Sequence, residues 1–61
     1  MIIKAKKDLI NQMNIQDFTK GKDYEVLNTH ANTITHNTTV IDDTGAEHSL
    51  GAWFTEFKIV K

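Results

Sequence analysis

The 61-residue sequence has no cysteine, no arginine and no proline, only three glycines, and no apolar run long enough to span a bilayer. Without cysteine there is neither a disulfide framework nor a thiolate metal site, so a small core must hold itself together or borrow area from a partner chain. The same absence fits a reducing compartment. Ile2-Ile3 is the only apolar run before Lys4, too short for a signal-peptide core or a membrane span, and the expected location is the cytoplasm. Seven lysines face eight acidic residues, for a net charge of −1. A general nucleic-acid binder carries a clear basic excess and reads phosphates and guanine edges with arginine; this chain has neither. With no internal repeat, no proline and no linker, residues 1–61 are expected to form a single domain. A chain of this length buries only about 60% of the surface its unfolded form exposes, so one thin core is all it can build.

What is present is β-rich. Met1-Ile2-Ile3-Lys4-Ala5 has the β-branched content of a short strand. From Lys6 to Phe18 the pattern weakens: Leu9, Ile10, Met13 and Ile15 suit a helical turn or two, while the asparagines and glutamines suit a long folded loop, and the expectation is a loop containing a helical turn. In Thr19-Lys20-Gly21-Lys22, Gly21 supplies the positive φ that the third position of a type II turn requires, and Tyr24-x-Val26 follows with strand alternation that puts both side chains on one face. Residues 28–32 read as a loop. The β-branched density from Thr33 to Ile41 predicts a long strand, ended by the tight hairpin Asp42-Asp43-Thr44-Gly45 and answered by a partner strand over Ala46–Leu50. Trp53, Phe54 and Phe57 are spaced for one helical turn, and Lys58-Ile59-Val60 closes the chain as a last strand.

This order is that of an SH3-like domain. The expected fold is all-β, a small five-stranded SH3-like barrel with one long loop after the first strand and a single helical turn before the last. Phe18-Thr19-Lys20-Gly21-Lys22-Asp23-Tyr24 looks like the diverging turn of such barrels. Together, Lys20-Gly21-Lys22-x-Tyr24-Glu25-Val26, Val40-Ile41-Asp42-Asp43-x-Gly45 and Phe54-x-x-Phe57-x-Ile59-Val60 resemble a group of small SH3-like proteins of bacteriophages, prophages and Firmicutes. The resemblance spans nearly the whole chain except residues 28–39. Its motifs are turn glycines and core aromatics, so it implies a fold and a genomic setting, with the host-cell cytoplasm as the location, and no catalytic residue.

Each conspicuous residue has a functional and a structural reading. His30, His36 and His48 invite a metal hypothesis, but their spacing fits no known ligand pair; His36 and His48 are at best hairpin partners, and no metal or cofactor is expected. Asp42-Asp43 with Glu47 lacks the spacing of a calcium loop, and hairpin chemistry accounts for the pair. No nucleophile sits in a glycine elbow, and the chain reads as non-enzymatic. Trp53 is not where SH3 domains carry their ligand tryptophan and is read first as core. The uncharged stretch Thr33–Thr39 is the alternative docking surface: an exposed strand there would pair edge to edge with a second copy or with a host protein. The candidate protein-binding residues are therefore Thr35, His36, Asn37, Tyr24 and Trp53. The expected role is a phage- or prophage-type accessory protein that binds and modulates a host enzyme or defence complex. The alternative is a nucleic-acid accessory protein using Lys4, Lys6, Lys58 and Lys61 on paired terminal strands. No contact with a membrane is expected.

Overall fold

Alternation decides which way the first strand faces. In a computed structural model describing residues 1–28 and 33–61, β1 (Ile2–Ala5) turns Ile3 and Ala5 into the core and leaves Ile2 and Lys4 on the outer face. β1 is the centre of a three-stranded antiparallel sheet. On one side it pairs with β4 (Asp23–Glu25), Ile3 opposite Tyr24, and on the other with β7 (Phe57–Ile59), Ala5 opposite Phe57. Between β1 and β4 the chain makes a short hairpin of β2 (Leu9–Ile10) and β3 (Gln16–Phe18). β5 (Thr39–Ile41) and β6 (Glu47–Ser49) form a second hairpin. The bridge Val26↔Val40 and the bond from Leu27 N–H to the Thr39 carbonyl, 2.8 Å, hook β4 onto β5. A 3-10 helix over Gly51–Glu56 leads into β7.

The all-β class stands, with the expected helical turn before the last strand. These elements do not close into the expected barrel of five strands: among the described residues, seven short strands make three small sheets of three, two and two strands. Two further expectations are overturned. The helical turn within residues 6–18 is replaced by the β2–β3 hairpin, because the Asn11 side chain organises a turn. Its Oδ1 accepts from Met13 N–H at 2.8 Å and Ile15 N–H at 3.2 Å, its own N–H bonds the Ile15 carbonyl, and Asn14 adopts φ 62°. Met13 is consequently 80% exposed rather than on a core-facing stripe. The long strand from Thr33 shrinks to Thr39–Ile41. Thr35 N–H bonds Thr38 Oγ1, Asn37 N–H bonds Thr35 Oγ1, and Thr38 N–H bonds the Thr35 carbonyl, so hydroxyls and a turn take the backbone groups that a ladder would have used. The exposed pairing strand expected over Thr33–Thr39, with the homodimer built on it, loses its geometry. The loop expected at its start lies mostly outside the described residues, as does His30.

The glycine turns are formed as expected. Gly21 has φ 80°, Lys22 N–H closes onto the Thr19 carbonyl at 3.1 Å, and Gly21 N–H bonds the Ala5 carbonyl at 2.9 Å, tying the turn to β1. A Cβ at Gly21 would meet nothing within 4 Å, so its cost is conformational alone. Gly21→Ala is expected to destabilise by about 1 kcal/mol, read as a lower denaturant midpoint at unchanged m value. An unmoved midpoint would refute the left-handed assignment. Gly45, φ 87°, lies in the tight turn of the second hairpin, where its N–H bonds the Asp42 carbonyl at 3.0 Å.

Phe18 lies at the middle of the core with no exposed surface, ringed edge-on by Tyr24 at 5.0 Å, Phe57 at 5.0 Å and Trp53 at 5.9 Å. Ile3, Ala5, Leu9, Val26, Val40 and Leu50 complete the buried cluster, with Met1, Ile34, Trp53 and Phe54 packed against it.

Candidate functional site

Two polar networks flank this core, one on each aspartate of the hairpin. Asp42 folds back over its own loop: Oδ1 accepts from Thr44 N–H at 2.9 Å, from Thr44 Oγ1 and from Ala46 N–H at 3.2 Å. That is the turn chemistry expected of the pair. Its other oxygen, Oδ2, lies 3.0 Å from His48 Nδ1, and the same nitrogen lies 3.7 Å from Oδ2 of Asp17. Both carboxylates are inside the protein, Asp17 4% and Asp42 8% exposed. Burial pushes the Asp42 carboxyl up, but bonds from Thr44, His48 and Ala46 outweigh it and hold the group below the usual carboxylate range. Asp17 is fixed by Asn11, whose Nδ2 donates to both of its oxygens at 3.3 and 3.1 Å.

Asp43 reaches different partners. Its Oδ1 accepts from the Tyr24 hydroxyl and from Lys22 Nζ, each at 2.8 Å, and its Oδ2 from the Thr19 hydroxyl at 2.7 Å. Tyr24 O accepts in turn from Thr19 N–H at 2.9 Å. This network buttons the acidic hairpin onto the Gly21 turn. Burial is the chief reason the Tyr24 hydroxyl is pushed up to about 12, with the Asp43 carboxylate adding to it against the lowering bond from Thr19 N–H.

His48 stands between the first network and the surface. Its ring packs on Phe18 at 5.2 Å and on Trp53 at 5.7 Å. With Trp53, Leu50, Ile10 and Asn11 it lines an open groove of about 540 Å³ between the β2–β3 hairpin and the 3-10 helix. Nδ1 is committed to the carboxylates, so Nε2 is the ring's remaining polar atom.

Of the candidate protein-binding residues, Trp53 is half-buried and forms one wall of the groove while its edge meets the core. Thr35, His36 and Asn37 are exposed, but in a turn rather than on a strand. Tyr24 is 5% exposed with its hydroxyl bonded on the inside, and presents no surface to a partner. The expected pairing of terminal strands is present, and Lys4 lies opposite Lys58. The basic track is nevertheless interrupted: Lys4 pairs with Asp23 at 3.5 Å, Lys7 pairs with Glu56, and Lys6 Nζ bonds the Thr55 carbonyl. Lys58 and Lys61 are exposed.

Among the described residues, His36 and His48 are not hairpin partners. His48 sits opposite Val40, not His36. Instead His48 meets two aspartates, and Asp17 and Asn11 are the residues that sequence reasoning passed over. Asp17 had one visible signal, a carboxylate immediately before the most buried aromatic, in a strand where both then face inward.

Compared with family models, curated proteins and solved structures, the chain matches none. Among the described residues no helix is long and apolar enough to cross a membrane.

Proposed function

We propose that this chain is a non-enzymatic binding domain, an SH3-like meander of strands whose groove beside Trp53 takes an extended segment of a protein partner. The single observation that carries this reading is the groove itself. It is open, of ligand-site size, and combines an aromatic wall and Ile10 with polar groups that include His48, held from beneath by Asp42. A groove open to solvent suits recognition and not chemistry that needs water excluded. The strand sequence supports the fold assignment: β7-β1-β4 continues through the Val26↔Val40 bridge into β5-β6, and the β2–β3 hairpin occupies the place of the long loop. The resemblance to small phage and prophage proteins supplies the setting, an accessory protein acting on a host enzyme or defence complex in the host cytoplasm.

The acidic residues beside Lys4 and Lys58 favour this reading over nucleic acid. Lys4 and Lys58 share the outer face of the sheet with Asp23 and Glu25, so that face carries balanced charge and not a phosphate track.

Immobilised chain is expected to retain a specific protein from a host lysate, and Trp53→Ala is expected to weaken that capture by about tenfold or more, as for a buried aromatic anchor. Because Trp53 also touches Phe18, Ile10→Ser is the second variant; Ile10 is half-exposed and its loss leaves the core intact. Reversing Lys4 and Lys58 to glutamate is expected to change nothing. Capture that survives both groove variants but vanishes on charge reversal, with binding to random nucleic acid falling steeply with salt, would replace this reading with the nucleic-acid one.

A further inference from the structure

From Asp17, Asp42 and His48 we infer a divalent-metal site, independent of the groove's partner, that takes Zn²⁺ or a similar borderline cation. The three donor atoms come from three different strands or their ends: Asp17 from β3, Asp42 just after β5, and His48 from β6. One atom from each lies within 4.8 Å of the other two. Ligands about 2.0–2.1 Å from a tetrahedral zinc stand roughly 3.3 Å from one another. The His48 Nδ1 separations from Asp42 Oδ2 and Asp17 Oδ2, 3.0 and 3.7 Å, bracket that value.

Charge is the second argument. Two carboxylates are almost wholly buried, and among the described residues His48 is the only cationic partner within ion-pair distance of either. Lys22, the nearest candidate on the hairpin, is engaged with Asp43. With a neutral imidazole the cluster carries two negative charges held by neutral hydrogen-bond donors alone, and with an imidazolium it carries one net negative charge. A buried carboxylate without a compensating cation is costly, and a divalent ion bound to both aspartates and neutral His48 brings the cluster to zero.

The outer contacts are those of an oriented ligand set. Thr44 and Ala46 hold Oδ1 of Asp42, which aims Oδ2 at His48, and Asn11 holds Asp17 from the groove side. His48 and Asn11, which contact the two aspartates, also line the groove, so the cluster lies just beneath the groove floor.

The test is a titration of the chelator-treated 61-residue chain with zinc chloride by calorimetry, with cobalt(II) absorption alongside. Saturable one-to-one binding is expected, with a Tm that rises with zinc concentration. His48→Gln and Asp17→Asn are each expected to weaken it by at least about tenfold, whereas His36→Ala, on an exposed turn outside the cluster, leaves it unchanged. Cobalt(II) in the native chain is expected to give the intense visible bands of a four-coordinate ion. Absence of saturable binding overturns the inference. So does binding that persists in folded His48→Gln or disappears in His36→Ala. Should His48→Gln fail to fold, the native cobalt spectrum decides: weak bands of a six-coordinate aqua-like ion count against the site.

Discussion

Replacing Phe18 with alanine is expected to leave the domain largely unfolded at room temperature. Phe18 has no exposed surface and is the shared neighbour of Tyr24, Phe57, Trp53 and His48, all with ring centroids within 6 Å of its own. Truncating a buried phenylalanine costs about 3–5 kcal/mol in lost transfer energy and residual cavity. A domain of this length has only about 3–9 kcal/mol in total. Collapse around the hole is limited, because β3 is tied to the hairpin by the bond from Asp43 N–H to the Asp17 carbonyl and to β2 by pairing. Near-UV circular dichroism and amide dispersion in a heteronuclear NMR spectrum should both be lost. Met13→Ala is the matched control, since Met13 points into solvent and should move the midpoint by no more than about 0.5 kcal/mol. A Phe18→Ala protein that still unfolds cooperatively near the parent midpoint would show that the core is not centred there.

The contrast between those two residues also marks what the sequence could disclose. Where a single residue's backbone preference governs the local structure, reading it was enough. Gly21 and Gly45 carry the positive φ their turns demand, and Tyr24 and Val26 share one face because strand alternation leaves no other choice. The errors lie where polar side chains compete with the ladder. Asn11 captures two backbone N–H groups and converts a segment with helix-like apolar spacing into a hairpin. Thr35 and Thr38 do the same in the segment with the highest β-branched density, so that β propensity is present and the strand is not. Propensity scales describe residues that leave the backbone alone, and these residues do not.

The candidate site was less legible still, for a geometric reason. Asp17, Asp42 and His48 are separated by 25 and 6 residues and belong to no motif; tertiary contacts such as the bond from Asp43 N–H to the Asp17 carbonyl bring β3 against the hairpin and put the first carboxylate beside the others. A histidine read against its sequence neighbours has no way to show a partner contributed by another sheet. The groove shares that origin, since Ile10 and Trp53 meet only after the β2–β3 hairpin has formed.

Asp43→Ala is expected to cost about 2–3 kcal/mol, the usual range for loss of a charged acceptor whose partners stay partly buried. Three donors lose that acceptor at once. Lys22 and the Thr19 hydroxyl can turn to water, but the Tyr24 hydroxyl is enclosed and keeps the penalty. Tyr24→Phe removes that orphaned group, so the double variant should be more stable than the sum of the singles by about 1 kcal/mol. Asp43→Asn should rescue part of the loss, because its amide oxygen can still accept from the Tyr24 hydroxyl while the charge that pairs with Lys22 is gone. The same network gives stability a pH signature at both ends. Burial raises the Asp43 carboxyl, but bonds from Lys22, Thr19 and Tyr24, with the Lys22 charge, more than offset this and leave it below its ordinary value. A carboxyl depressed in the folded state contributes stability that is present above its unfolded pKa of about 3.9 and lost as pH falls through the folded value. Tyr24 runs the other way. Raised from 10.0 to about 12, it contributes stability that is complete below pH 10 and drains away as pH climbs from 10 towards 12. Denaturant midpoints measured across pH should therefore fall on both flanks for the parent, the alkaline fall should vanish in Tyr24→Phe, and the acid fall should shrink in Asp43→Ala. An alkaline limb that persists in Tyr24→Phe would assign it to another group and remove Tyr24 from the network that holds the two turns together.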